Sequence, residues 1–305
     1  MDGPAIVTRA LTKTYGRARG VADLDLEVRP GEVFGYLGPN GAGKTTTLRL
    51  LLDLIRPTRG SATGLGLDSH REGRAIRRRV GYLPGDLRLY VSLSGRELLD
   101  YFGHLRGAIP RERAEALARR LDCDLGREIR ALSSGNRQKL GLIQAFMSDP
   151  ELLILDEPTN GLDPLVQQTF YALVREARAE GRTVFLSSHV LPEVERVCDR
   201  VAIVDRGRVV ATGAIDELTE GHEVTIRCTG IDAAAIAAVG ADGRYGTLER
   251  ADDGLRAVGI EAERVPDLVA AIVAAGGRIH SVEPLRRSLE ERFLAVVREA
   301  EGIPA

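Results

Sequence analysis

The residues best suited to chemistry lie in short segments that end apolar runs. Gly38-Pro39-Asn40-Gly41-Ala42-Gly43-Lys44-Thr45 fits the pattern GxxxxGK[ST], directly after the apolar run Val33 to Leu37 and directly before a helical run from Thr46 to Ile55. Glycines in such a turn let successive backbone N–H groups face inward around a phosphate. The helix that follows adds its positive end, and Lys44 sets a point charge against the β- and γ-phosphates. Thr45 is placed to offer a hydroxyl to Mg²⁺. Lysine occurs only at Lys13, Lys44 and Lys139, every other basic side chain being arginine, so a lysine inside a glycine-rich loop carries extra weight.

A second segment, Leu152 to Leu155, is an apolar run that ends in two carboxylates, Asp156 and Glu157. Ligands of open α/β sheets sit at the carboxyl ends of strands. Asp156 is therefore the candidate to hold hydrated Mg²⁺ beside the phosphate loop, and Glu157 the candidate to orient and polarise an attacking water.

The elements that must position these groups alternate short apolar runs with helical patterns up to about residue 220, as in a mostly parallel sheet covered by helices. Unbroken runs at Val33 to Leu37, Leu152 to Leu155, Val184 to Leu186 and Val201 to Val204 predict strands buried on both faces. Leu93 to Cys123 reads as largely helical, with Ser94 as N-cap and Glu97 at capping-box spacing. Val201 to Thr212 reads as a hairpin turning at Asp205, Arg206 and Gly207. After Gly221 the composition shifts to Ala and Gly, and the order strand, helix, two strands, helix, strand, closing helix (Leu289 to Glu299) predicts a small ferredoxin-like unit. The expected domains are 1–220 and 221–305.

Leu132-Ser133-Ser134-Gly135-Asn136-Arg137-Gln138-Lys139 precedes a helix whose Leu140, Ile143 and Met147 share one face. A serine hydroxyl and glycine N–H groups at a helix start suit an anion, although alone the segment is an ordinary cap. It resembles the signature loop of the ABC ATPases, whose pattern is close to LSGGQ, with Ser134 and Asn136 as departures. The resemblance implies that Ser133, Ser134 and Gly135 open onto the γ-phosphate of a nucleotide held by another subunit. Gly161-Leu162-Asp163-Pro164 resembles the loop that crosses between subunits, with Asp163 its characteristic residue. Ser187-Ser188-His189 resembles the switch loop, which implies that His189 contacts the γ-phosphate and the water. Tyr15 stands where the family has an aromatic that stacks on adenine.

The resemblance covers residues 4 to about 220. It implies a P-loop NTPase core of the ABC-ATPase type with a helical subdomain, and a subunit that binds ATP and Mg²⁺ and hydrolyses ATP. Tyr15, Gly38, Asn40, Gly41, Gly43, Lys44, Thr45 and Thr46 would contact nucleotide, and Glu157, His189 and Lys44 would act in catalysis. The implied partners are an integral-membrane permease and a second copy of the chain, which places the protein on the inner face of the cell membrane. The tail Ser288 to Leu294 is similar to that of drug, polyketide and ion exporters of the family. One departure stands out. The family has a Gln after the strand that here reads Val80-Gly81-Tyr82-Leu83-Pro84, and this chain has Gly85-Asp86. Either Asp86 substitutes, or water fills the place, or coupling to the membrane partner is altered.

Bulk properties narrow the alternatives. A net charge of −2, from 42 basic and 44 acidic residues, gives no electrostatic grip on nucleic acid. A ribosome- or chromosome-directed ABC ATPase is disfavoured by the single cassette and by the lack of sustained heptads between Thr45 and Leu132. Glu157 and His189 argue against a nucleotide-sensing regulatory subunit, while Gly85 keeps that reading open. The three cysteines show no ligand spacing and read as core residues, no secretory leader is expected, and no run approaches the roughly 20 apolar residues of a membrane span. The basic stretch His70 to Arg79 reads as a solvated helix face.

Overall fold

The computed structural model describes residues 3–285 apart from 17, 108, 220–222 and 252, together with 289, 290 and 293. The chain begins β1 (Ile6–Tyr15), β2 (Ala18–Val28), β3 (Val33–Leu37), α1 (Lys44–Leu51), β4 (Arg59–Gly64), β5 (Leu67–Asp68), α2 (Gly73–Arg79) and β6 (Val80–Leu83). It continues through α3 (Gly95–Leu105), α4 (Arg111–Arg120), α5 (Ser134–Phe146), β7 (Leu152–Asp156), α6 (Pro164–Ala179), β8 (Thr183–Ser188) and α7 (Leu191–Val197). The hairpin β9 (Arg200–Asp205) and β10 (Arg208–Ala214) and the short α8 (Ile215–Thr219) follow. Two compact units part between Ile215 and Asp216.

The first unit is built on a six-stranded sheet of order β10-β9-β3-β8-β7-β6, in which only the edge strand β10 runs antiparallel. Every residue of β3, β7 and β8 is buried, which explains their unbroken apolar runs. Polar residues extend β7 and β8 beyond the runs, because parallel pairing continues as far as Asp156 opposite Ser187. Phe185 stacks on Phe34 at 5.8 Å and meets Tyr36 at 5.4 Å. The Tyr36 hydroxyl lies 3.1 Å from Thr47 Oγ1 and so ties α1 to the sheet. Burial pushes that phenol well above its ordinary pKa.

An antiparallel sheet of order β2-β1-β4-β5 lies beside the loop between β3 and α1. The β9–β10 turn holds Arg206 and Gly207 at φ +46° and +79°, as a two-residue hairpin needs. Gly207 then accepts from Ala22 N–H at 2.8 Å and donates to Ala42 O at 3.0 Å, so the hairpin braces the loop from behind. The stretch expected to be helical from Leu93 splits into α3 and α4 around Gly107 (φ +101°) and Pro110, and the Ser94/Glu97 capping box is formed. Leu140, Ile143 and Met147 are all buried. The helix expected over Thr46 to Ile55 instead runs Lys44–Leu51, ending before Asp53 at φ +54°.

The basic stretch is not simply a solvated face. Arg79 makes paired bonds of 2.5 and 2.6 Å to Glu151, holding that carboxyl below its usual range, and Arg77 donates to Leu52 O at 2.8 Å. Cys198 and Cys228 are buried, whereas Cys123 is half-buried.

The second unit comprises β11 (Glu223–Thr229), α9 (Ala233–Gly240), β12 (Thr247–Ala251), β13 (Gly254–Val258), α10 (Val265–Ala274) and β14 (Arg278–Leu285). Its sheet is antiparallel, in the order β12-β13-β11-β14, the arrangement of a split βαββαβ unit. Ile236, Leu268 and Ile272 from the helices pack onto Ile226, Leu255 and Ala257 of the strands. Of the expected closing helix, only Leu289, Glu290 and Phe293 are among the described residues, so that expectation and the Ser288 to Leu294 likeness lie mostly outside them. No helix among the described residues is long and apolar enough to cross a membrane.

Phe185 is 0% exposed and serves both aromatic neighbours. Phe185→Ala should cost about 3–5 kcal/mol and lower the first unit's thermal transition by roughly 10 °C in calorimetry. An unmoved transition would remove the aromatic stack from the account of this core.

Candidate functional site

The loop between β3 and α1 bends where only glycine fits. Gly43 has φ +100°, and a Cβ there would stand 2.3 Å from Gly20 O; one on Gly38 would stand 2.3 Å from Val204 O. Helix α1 starts at Lys44 with no side-chain cap and no acidic residue in its first turn, leaving its first N–H groups available to an anion. Lys44 Nζ folds over the loop, donating to Gly38 O at 2.6 Å and Pro39 O at 3.2 Å.

Asp156 ends β7 fully buried. Its Oδ2 accepts from Thr45 Oγ1 at 2.8 Å and its Oδ1 from Ser187 Oγ at 2.5 Å. Glu157 follows with φ +50°, a left-handed turn that is strained for a residue with a Cβ. That turn is held from several sides. Glu157 N–H donates to Ser187 O at 3.1 Å, and Gln138 Nε2 donates to the Glu157 and Pro158 carbonyls at 3.2 and 3.0 Å. Glu157 Oε1 stands 3.2 Å from Lys44 Nζ, an ion pair without the alignment of a hydrogen bond, and Oε2 stands 2.7 Å from His189 Nδ1. Lys44, Glu157 and His189 thus form one chain of contacts, with the lysine and glutamate side chains only 6% and 14% exposed.

A cleft of about 360 Å³ is lined by Tyr15, Asn40, Gly41, Gly43, Lys44, Thr45, Thr46 and Glu157. Half-exposed Tyr15 packs its ring over Gly20, with Lys13 Nζ 5.3 Å from the ring centroid. Gly38, Asp156 and His189 are not among its lining residues, and neither are Ser133, Ser134, Gly135 and Asp163. Ser133 caps α5, accepting from Asn136 N–H at 3.2 Å, and a Cβ on Gly135 would stand 2.5 Å from Gly161 O. Asp163 caps α6 by accepting from Val166 and Leu165 N–H at 3.0 and 3.1 Å, bonds that hold its carboxyl below the usual range.

Gly85 lies against the carboxylate: a Cβ there would stand 2.9 Å from Asp156 Oδ2. Asp86 is exposed and paired with Arg88 at 2.9 Å. The oxygens of Thr45 and Asp156 suit Mg²⁺. Among the described residues no three His, Cys, Asp or Glu side chains converge as a metal cage, and Mg²⁺ typically takes one or two protein oxygens and completes its shell with phosphates and water. Two supports escaped sequence reasoning, Ser187 Oγ and Gln138. The first was implicit in the β7–β8 register, which sets Ser187 beside Asp156; Gln138 had no local signal.

The ABC transporter family model matches residues 21–160. The chain is 39% identical over 305 residues to the daunorubicin resistance ATP-binding protein DrrA3 of Streptomyces coeruleorubidus, covering 96% of each chain. It is 41% identical over 219 residues to the Nod factor export ATP-binding protein I of Cupriavidus pinatubonensis, covering 70% of this chain and 67% of that one. Among solved structures, an ATP-binding subunit of an ABC transporter superposes with a TM-score of 0.65 at 32% identity, covering 70% of this chain and 91% of its own.

Ser187→Ala leaves a buried carboxylate oxygen unanswered and should cost about 1.5–3 kcal/mol, read as a lowered thermal transition. An unchanged transition would show that Asp156 does not depend on this hydroxyl. Gly85→Ala should push Asp156 aside and raise the Mg²⁺ concentration needed for half-maximal ATP hydrolysis, with no change in the absence of crowding at that carboxylate.

Proposed function

The chain belongs to the ATP-binding, ATP-hydrolysing subunits of ABC transporters, and on that footing we propose that Lys44, Glu157 and His189 carry the hydrolysis at this site. Water attacks the γ-phosphorus while Glu157 takes its proton; the bond from phosphorus to the ADP oxygen breaks, releasing ADP and phosphate. The observation that carries this reading is the chain of contacts from Lys44 through Glu157 to His189. A γ-phosphate in the loop competes with Glu157 Oε1 for Lys44, which leaves that oxygen for the water. His189 steadies the other oxygen and is placed to register whether the terminal phosphate is attached. Thr45 and Asp156 would hold Mg²⁺, which when bound offsets charge on the β- and γ-oxygens. Tyr15, half-exposed at the cleft, stacks on the base.

Ser133, Ser134, Gly135 and Asp163 act in a second copy of the chain. Their position outside the cleft supports a composite site in which each cleft is closed by the partner's signature loop, a pairing that two-fold symmetry repeats. ATP draws the two copies together, and hydrolysis weakens that attraction. A membrane permease converts the cycle into transport. An apolar groove between α3 and β6, with Leu54 and Tyr90 exposed and Arg77, Arg88 and Arg106 among its lining residues, suits an apolar segment of that permease flanked by carboxylates. The likeness to daunorubicin resistance and Nod factor export proteins supports export as the direction, with the subunit on the cytoplasmic side of the membrane.

Glu157→Gln should keep ATP binding and lose about 10²- to 10⁴-fold in turnover, with ATP-bound dimer accumulating in size-exclusion chromatography. The wild-type specific rate should rise with protein concentration. Turnover by Glu157→Gln at the wild-type rate would sink Glu157 as the base, and a rate independent of concentration would sink the composite site.

A further inference from the structure

The second unit carries a cavity of about 400 Å³ at the end of its sheet where β11 and β12 leave it. That size lies within the range of small-molecule sites. Its lining residues include Arg227, Arg250, His280 and Thr229, with Ile231 and Ile236 as apolar members.

Arg227, Thr229, Arg250 and His280 are all exposed, and two features mark the concave surface they form. The first is the face on which Arg250 stands. Antiparallel pairing sets Arg250 opposite Leu255 and Leu248 opposite Ala257, and Leu255 and Ala257 are both fully buried. Side chains on a strand alternate between faces, so Arg250 leaves the sheet on the face that carries Leu255 and Ala257, but from the end of the edge strand β12, where its side chain is exposed. It has no hydrogen-bond or ion-pair partner among the described residues. Among the described residues the one acid lining the cavity, Asp253, is already engaged by Arg227 at 3.2 Å. The second feature is a β-bulge in β14. Arg227 pairs with Ser281 and Cys228 with Ile279, so His280 is the extra residue, and a bulge re-aims a side chain at some cost in ladder bonds. His280 Nε2 lies 3.0 Å from Thr229 Oγ1, which orients the ring and leaves Nδ1 for another partner.

We propose that this cavity binds a small phosphate monoester. The unanswered guanidinium fork of Arg250, the Arg227 guanidinium that Asp253 holds, and the one N–H or O–H that the Thr229–His280 pair leaves free suit a group with three acceptor oxygens, and the isoleucines accommodate a short organic stem. A carboxylate, with two oxygens, leaves part of this donor set unused.

The test is isothermal titration calorimetry of the full chain carrying Lys44→Ala, so that the nucleotide loop does not take up the probe, with glycerol 3-phosphate as ligand. One site is expected. Adding Arg250→Gln or His280→Asn should weaken it by about tenfold or more, Arg250→Lys should weaken it less, and Arg88→Gln, outside the cavity, should leave it unchanged. The proposal is overturned by an absence of binding, by binding that Arg250→Gln and His280→Asn leave intact, or by malonate binding where glycerol 3-phosphate does not.

Discussion

A carboxyl group with none of its surface open to water must have its oxygens answered from within the protein, and Asp156 imposes that demand on the whole first unit. Thr45 reaches it from the start of α1 and Ser187 from the end of β8. The phosphate loop, the acidic strand end and the switch loop are therefore joined through one side chain. Their mutual placement follows from parallel pairing, which sets the ends of β3, β7 and β8 side by side: Leu37 lies opposite Ser188, and Asp156 opposite Ser187. A slip of one residue in either ladder would turn Asp156 or Ser187 to the opposite face and break the junction.

Glu157 shows a different kind of dependence. Its left-handed backbone is unfavourable for a side chain with a Cβ and persists because neighbours over-determine it. Ser187 accepts its N–H, and Gln138 clamps its carbonyl together with that of Pro158. Gln138 lies on α5, the helix capped by Ser133 at the signature loop. The backbone that aims the glutamate is thus tied physically to the loop assigned to the neighbouring copy's nucleotide. Movement of α5 and the aim of Glu157 cannot be fully independent.

Much of this site was legible in the sequence because its groups are local. The phosphate loop is a contiguous pattern, and Asp156 and Glu157 announce themselves by ending a buried apolar run. Elements that depend on distant pairing were less legible. The run Val184 to Leu186 shows a strand but not that Ser187, one residue further, faces Asp156 across a ladder; that is set by register, which short apolar runs do not specify. Gln138 reads in sequence as one more polar helix residue, and its role exists only once α5 lies beside the turn after β7. Arg79 misled for a related reason, since its partner Glu151 is 72 residues away. Family likeness supplied what local chemistry did not at Tyr15, His189 and Asp163, while Asp163 also has a plain structural task as the cap of α6.

Gly85 joins these themes. A glutamine at this position has to share space with Asp156, whose Oδ2 lies within 2.9 Å of where its Cβ would be. In this chain the space is left to the carboxylate, and the neighbouring Asp86 turns outward to Arg88. Arg88 also lines the apolar groove assigned to the membrane partner. The segment after β6 therefore touches the carboxylate through its backbone at one end and the groove through a charged pair at the other.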